Sequence, residues 1–71
     1  MTNQEKLQAY IKKSGLKRGY IAEKLGITTY GLSMKITNKS EFKASEIDIL
    51  CELLHIDVTD RMAIFFARAV D

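Results

Sequence analysis

The sequence predicts an all-α domain of five short helices, and three observations lead to this prediction. The 71 residues contain no proline, apolar residues recur at helical spacing, and the strict alternation expected of strands is scarce. A central stretch, residues 18–38, has the pattern of two short helices joined by a tight turn. A chain of this length holds one domain with one small core. We expect residues 1–71 to form that single domain, with a core over residues 3–58 and a C-terminal helix or extension over residues 59–71.

The first helix is expected over about residues 3–13. Thr2 and Glu5 have the spacing of a capping box, in which each side chain bonds the other residue's backbone N–H. Gly15 follows at the position where a left-handed residue commonly ends a helix. The inward face would carry Leu7, Tyr10 and Ile11.

The second and third helices are expected over residues 17 or 18 to 25 and over residues 29 to about 37. Gly26 stands where a chain leaving a helix needs a positive φ. The hydroxyl of Thr28 can cap the next helix, and Asn38 can end it in a left-handed conformation. This arrangement is that of a helix-turn-helix, whose second helix enters the major groove of DNA.

One face of the third helix is expected to be buried, because Leu32 and Ile36 form an apolar i, i+4 pair. The remaining faces are therefore left for contacts with a partner. They carry Thr29, Tyr30, Ser33, Met34 and Lys35.

The fourth helix is expected from residue 44 or 45 to residue 54, since its apolar residues follow the i, i+3, i+4, i+7 pattern. The inward stripe holds Ile47, Leu50, Cys51 and Leu54. The exposed face would carry Glu46, Asp48 and Glu52. Phe42 is expected to plug the core from the preceding loop.

A last helix is expected over about residues 60–66, capped by Asp57 or Thr59, with Val58 in the core. The stretch IFFARAV, residues 64–70, is equally compatible with a short extended segment. Two adjacent phenylalanines cannot both face one small core, so we expect one of them to be exposed and available to a partner chain. The predicted dimer or partner contact is Met62, Phe65 and Phe66.

The net charge of +2 is unevenly distributed along the chain. Residues 1–43 hold nine lysines and arginines against three glutamates, a net +6, whereas residues 44–71 have a net −4. Phosphate attraction favours a basic half that faces a polyanion. The positive half is the one that contains the predicted helix-turn-helix.

Several functional classes are excluded by what the chain lacks. A single cysteine, Cys51, and a single histidine, His55, give neither a disulfide nor a set of zinc ligands, and no catalytic group has an orienting partner. We therefore expect no enzyme activity, cofactor, metal or small-molecule substrate. No apolar run approaches the length of a membrane span, and a reduced, cytoplasmic setting is expected.

The pattern AEKLGIT at residues 22–28, LS at 32–33, an asparagine turn, Phe42 and EIDILCELLHID at 46–57 resembles a known family. The chain is similar to lambda-repressor-like DNA-binding domains of the Cro/cI type, also called the XRE family, over roughly residues 7–58. In its short length and in the segment KSGLKRGYIAEKLGI, the chain resembles the small regulators of phages and prophages of Gram-positive bacteria. The resemblance implies a five-helix fold and a dimer that binds paired operator half-sites.

The resemblance also implies functional positions on and around the third helix. Base-reading positions fall on Thr29, Tyr30, Ser33 and Met34, and phosphate contacts on Arg18, Thr28, Asn38 and Lys39, with Lys35 added for its place on the same helix. Tyr30 and Met34 depart from the family pattern, because neither can make a bidentate bond to a base edge. They can contact thymine methyl groups instead.

The expected function is therefore that of a sequence-specific transcriptional regulator, a Cro-like repressor of phage or prophage origin. Two alternatives remain open at this point. The chain is also compatible with an antirepressor that binds a phage repressor protein, or with the antitoxin of a toxin and antitoxin pair.

Overall fold

Five α-helices make up the part of the chain that the computed structural model describes, residues 1–66, and no strand occurs in that range. The helices are α1 (Gln4–Ser14), α2 (Arg18–Leu25), α3 (Thr29–Ile36), α4 (Ala44–Leu54) and α5 (Val58–Phe65). The all-α prediction is confirmed. None of these helices has the length and apolar character needed to cross a bilayer. The end of the IFFARAV stretch, residues 67–71, lies outside the described residues.

α1 and α2 make the main contacts with the other three helices. α2 packs against α3 and α4, and α1 packs against α3, α4 and α5. Within residues 1–66, the largest fully buried side chains are those of Leu7, Ile21, Leu32, Ile36, Leu50 and Ile64. Every helix contributes at least one of them, so a single core joins all five helices.

The start of α1 differs from its prediction. Asn3, rather than Thr2, is the N-cap, and its side-chain oxygen accepts the N–H of Lys6 at 3.1 Å. Thr2 is buried, with its backbone N–H bonded to the side chain of Asn38 at 2.7 Å. The predicted capping box of Thr2 and Glu5 is therefore wrong, because the N–H of Thr2, which the Glu5 side chain would need, is bonded to Asn38 instead.

The core extends further along the chain than residue 58. Ile64 and Phe65 on α5 are buried, and the ring of Phe65 packs edge-on against Phe42, with 5.6 Å between ring centroids. Phe42 thus has the core role predicted for it. The helix is the correct alternative for this segment as far as Phe65, so α5 belongs to the core rather than to an appended extension.

Val58 is not a core residue, in contrast to its prediction. α5 begins there because the Asp57 carboxylate caps the helix, accepting the N–H of Asp60 at 2.8 Å. The helix thus starts two residues earlier than expected. Its first residue then lies on the outer face, with 78% of Val58 exposed.

Candidate nucleic-acid interface

α3 presents an exposed outer face while its inner face is fixed in the core. Leu32 and Ile36 are fully buried, whereas 74% of Tyr30 is exposed. Thr29 is exposed as well, and Ser33 and Met34 are half-buried. The four predicted base-reading residues therefore lie on one helix, and two of them, Thr29 and Tyr30, are exposed.

The first turn of α3 is held by Thr28, as predicted. Its hydroxyl oxygen accepts the N–H of Gly31 at 2.9 Å. A methyl group on Gly31 would lie 3.2 Å from that same oxygen, so the glycine leaves room for the cap. The glycine that weakens the helix intrinsically also gives the capping hydroxyl space.

The first turn of α2 lies beside the start of α3. A Cβ atom placed on Gly19 would be 3.9 Å from the hydroxyl oxygen of Thr29, which is ordinary contact distance. Lys17, the N-cap of α2, provides no side-chain acceptor, whereas α1, α3 and α5 are each capped by a side-chain oxygen. The amino end of α2, where Arg18 is the first helical residue, therefore has no side-chain cap, and a helix amino end beside a cation favours an anion.

Lys35 has a structural partner rather than a free ammonium group. Its Nζ atom lies 2.8 Å from Oε1 of Glu46, and the two side chains are only 12% and 7% exposed. The same Nζ also donates to the carbonyl oxygen of Glu41 at 3.1 Å. Lys35 was predicted to contact phosphate, but this ion pair anchors the end of α3 to the start of α4 instead.

Glu46 is buried, which corrects its predicted place on the exposed face of α4. Its carboxylate also accepts the backbone N–H of Lys43 at 2.8 Å. Burial acts to raise the pKa of Glu46, but the hydrogen bonds from Lys35 and from the Lys43 backbone outweigh it, and the pKa is lowered. Glu46, third in its helix, thus makes the half of a capping box in which the side chain accepts the N-cap N–H, but Lys43 at the N-cap cannot make the other half, so the sequence lacks the usual S/T-x-x-E signal.

Asn38 is exposed, and its side chain also has partners within the protein. It adopts the left-handed conformation predicted for it, with a φ of 64°. Its side chain accepts the N–H of Thr2 at 2.7 Å and donates to the carbonyl oxygen of Thr2 at 2.9 Å. Asn38 and Lys39 are both exposed just beyond the end of α3. Phosphate contacts by these two residues, and by Arg18 and Thr28, stay predictions.

A second accessible surface lies on α5. Val58, Met62 and Phe66 succeed one another at i, i+4 and i+8, and are 78%, 57% and 52% exposed. We call these three residues the α5 stripe. The prediction that only one of the adjacent phenylalanines faces the core is confirmed. Phe65 is the buried one, so it is not accessible for the partner contact predicted for it, whereas Met62 and Phe66 are exposed.

Protein-family models, curated proteins and solved structures give no match to this chain. Three surfaces of the protein are available for a function: the outer face of α3, the amino end of α2 and the α5 stripe.

Three other ionisable residues, Cys51, His55 and Tyr10, have structural places in the fold. Cys51 lies in the core as predicted, and burial raises the pKa of its thiol. His55 ends α4 with a φ of 56°. The hydroxyl of Tyr10 donates a hydrogen bond to Asp60; that bond, with burial and the nearby carboxylates, raises the pKa of Tyr10 to about 12. This contact fastens α5 to α1.

Proposed function

We propose that this protein is a DNA-binding transcriptional regulator that inserts α3 into the major groove. The observation that carries the proposal is the contrast between the two faces of α3. Leu32 and Ile36 fix the helix in the core, while Tyr30 projects with three quarters of its surface in solvent. A rigid helix with a polar and aromatic outer face matches what a groove of about 12 Å admits.

Phosphate contacts would fix the register of α3 on the duplex. The amino end of α2 has no side-chain cap and begins with Arg18, and the start of α3 lies next to it. Lys39 supplies a cation beyond the other end of α3. The net charge of +6 over residues 1–43 supports an electrostatic contribution to binding.

Sequence reading by this face is expected to be modest. The hydroxyls of Thr29 and Ser33 can bond to several bases, and Tyr30 and Met34 favour apolar contact with thymine methyl groups. None of these residues makes the bidentate contacts that discriminate most strongly between bases. The operator should therefore include thymines placed opposite Tyr30.

Binding as a homodimer would double the small number of contacts that one domain makes. The α5 stripe is suited to this role, because Val58 and Met62 on α5 and Phe66 just after it are exposed apolar side chains four residues apart. Two copies joined through α5 would present two α3 helices to half-sites about 34 Å apart, one turn of DNA.

Replacing Lys39 or Tyr30 by alanine is expected to weaken DNA binding in different ways. Loss of a phosphate contact in Lys39→Ala should lower affinity similarly for all sequences and reduce the slope of log affinity against log salt by about 1. Loss of a base contact in Tyr30→Ala should cost about 1–3 kcal/mol at the contacted base pair only. Fluorescence anisotropy with a set of single-base operator variants, at two salt concentrations, measures both effects.

Lys13→Ala is the matched control for Lys39→Ala. It removes the same charge from a lysine at the far end of α1, where Lys13 lines a cleft with His55. If Lys13→Ala and Lys39→Ala lowered the affinity equally, the assignment of Lys39 would be wrong. Unchanged sequence preference in Tyr30→Ala would exclude α3 as the reading helix.

A second candidate function is that of an antirepressor, a protein that binds another repressor. The α5 stripe favours it, since exposed apolar side chains serve a foreign partner as well as a second copy. A stable complex with a phage repressor, together with no measurable DNA binding at low salt, would select this function. The antitoxin hypothesis shares the DNA-binding prediction.

A further inference from the structure

The polar groups of Thr2, Asn3 and Asn38 connect three helix ends at one place. Asn38 follows α3, and its side chain pairs with both backbone groups of Thr2, at 2.7 Å and 2.9 Å. The next backbone N–H, that of Asn3, donates to the carbonyl oxygen of Ile64 at 2.7 Å. Asn3 also caps α1. A single extended segment thus touches the end of α3, the last turn of α5 and the start of α1.

Each of these bonds satisfies a group that would otherwise lack a partner. Ile64 lies in the last turn of α5, where carbonyl oxygens accept no N–H from within the helix. Thr2 is buried, so its N–H and C=O would be costly to leave unpaired. Asn38 has a left-handed backbone conformation, and its side chain bonds to both of these groups. The segment is therefore hydrogen-bonded to Asn38 on one side and to Ile64 on the other.

We propose that Thr2 and Asn3 form a clasp between α3 and α5, and that Asn38 is a positioning residue for binding to paired half-sites. The inference rests on the proposed function, since it assigns α3 to DNA and the α5 stripe to the dimer. The separation of the two α3 helices in a dimer depends on how each is held relative to its own α5. Both helices pack against α1, and the clasp adds a direct hydrogen-bonded link between their ends.

Paired-site binding should be more sensitive to the clasp than single-site binding. A single half-site needs only one correctly folded α3. Two half-sites need both helices at the spacing that the DNA imposes, and a loose link must be ordered at the moment of binding. The ratio of the two affinities therefore reports positioning separately from stability.

Asn38→Gly is the variant that tests this. Glycine adopts the left-handed conformation without strain, so the turn keeps its shape while both bonds to Thr2 are lost. We expect affinity for a duplex with two half-sites to fall by about tenfold, the order expected for two hydrogen bonds. Affinity for a duplex with one half-site should change by less than about twofold.

His55→Gly is the matched control. His55 is the other non-glycine residue with positive φ in the described part of the chain, it also ends a helix, and it takes no part in the clasp. It should leave the ratio of paired-site to single-site affinity unchanged. An equal effect in both variants would overturn the proposal.

Hydrogen exchange provides a readout that does not depend on DNA. The amide of Asn3 should exchange faster in Asn38→Gly than in the unaltered protein, because release of Thr2 frees its neighbour from Ile64. Unchanged protection of that amide would show that the clasp does not operate. If the unaltered protein preferred neither duplex to a scrambled one, the proposed function would fail, and the positioning role would fail with it. Amide exchange would then test only whether the clasp exists. A specific wild-type protein whose paired-site affinity is unaffected by Asn38→Gly would overturn the positioning role alone.

Discussion

Replacing Lys35 by alanine is expected to lower the free energy of unfolding by about 3 kcal/mol, the usual cost of removing one partner from a buried ion pair. The Glu46 carboxylate would stay buried, with 7% of its side chain exposed, and would keep only the Lys43 backbone N–H as a donor. For a domain of this size, such a loss is a large share of the total stability. Chemical denaturation monitored by circular dichroism measures it.

Lys39→Ala is the control for this prediction. It removes a lysine four residues along the chain whose side chain is exposed, so stability should change by no more than about 0.5 kcal/mol. The two variants should also separate in function: Lys39→Ala retains stability and loses DNA affinity. Equal destabilisation by both variants would contradict the role assigned to Lys35.

The decrease in the free energy of unfolding caused by Lys35→Ala should depend on pH. In the unaltered protein the pKa of Glu46 is lowered, so its stabilising contribution is complete above the unfolded-state value of about 4.3. It is lost as the pH falls through the folded-state pKa. Near pH 3 the carboxyl group is largely neutral in the variant and needs no partner. The difference between the two proteins should therefore be largest near pH 7 and shrink toward pH 3.

Replacing Met62 by aspartate is expected to lower affinity for paired half-sites by about 100-fold or more, because linked binding to two sites is lost. Met62 is the central residue of the α5 stripe and is 57% exposed, so the change places a carboxylate in the proposed dimer interface without opening the core. Sedimentation analysis should show a shift toward monomers, and anisotropy should show the loss of affinity.

Ile49→Asp controls for the added negative charge. Ile49 is an exposed apolar residue on α4, 41% exposed, and it lies in a shallow surface with Tyr20 and Lys24 rather than with the α5 stripe. It should retain both self-association and paired-site affinity. A Met62→Asp protein that assembled and bound like the unaltered one would remove α5 from the interface.

Helix ends and buried helix faces that depend on neighbouring residues were predictable from the sequence. Gly15 and Gly26 end α1 and α2 with a φ of 73° each, and Thr28 caps α3 through a bond three residues away. The inward stripe of α4 follows its apolar period. Such features depend on neighbours within one helical turn, which is the range that sequence patterns describe.

The features that sequence reasoning missed depend on distant partners. Glu46 is buried because Lys35, eleven residues earlier, reaches it. Asn38 bonds to Thr2, thirty-six residues away. In both cases the local position of the polar residue gives no sign of the partner that the folded chain provides. Long-range pairing of polar groups leaves no periodic trace in the sequence.

The central claim is that α3 reads DNA, and a titration of labelled duplex from the region upstream of the gene tests it most directly. The titration would be carried out at two salt concentrations, with a scrambled duplex as competitor. We predict binding that survives the competitor and weakens steeply as salt rises. Binding that is absent at low salt, or equal for the scrambled duplex, would contradict sequence-specific recognition by α3.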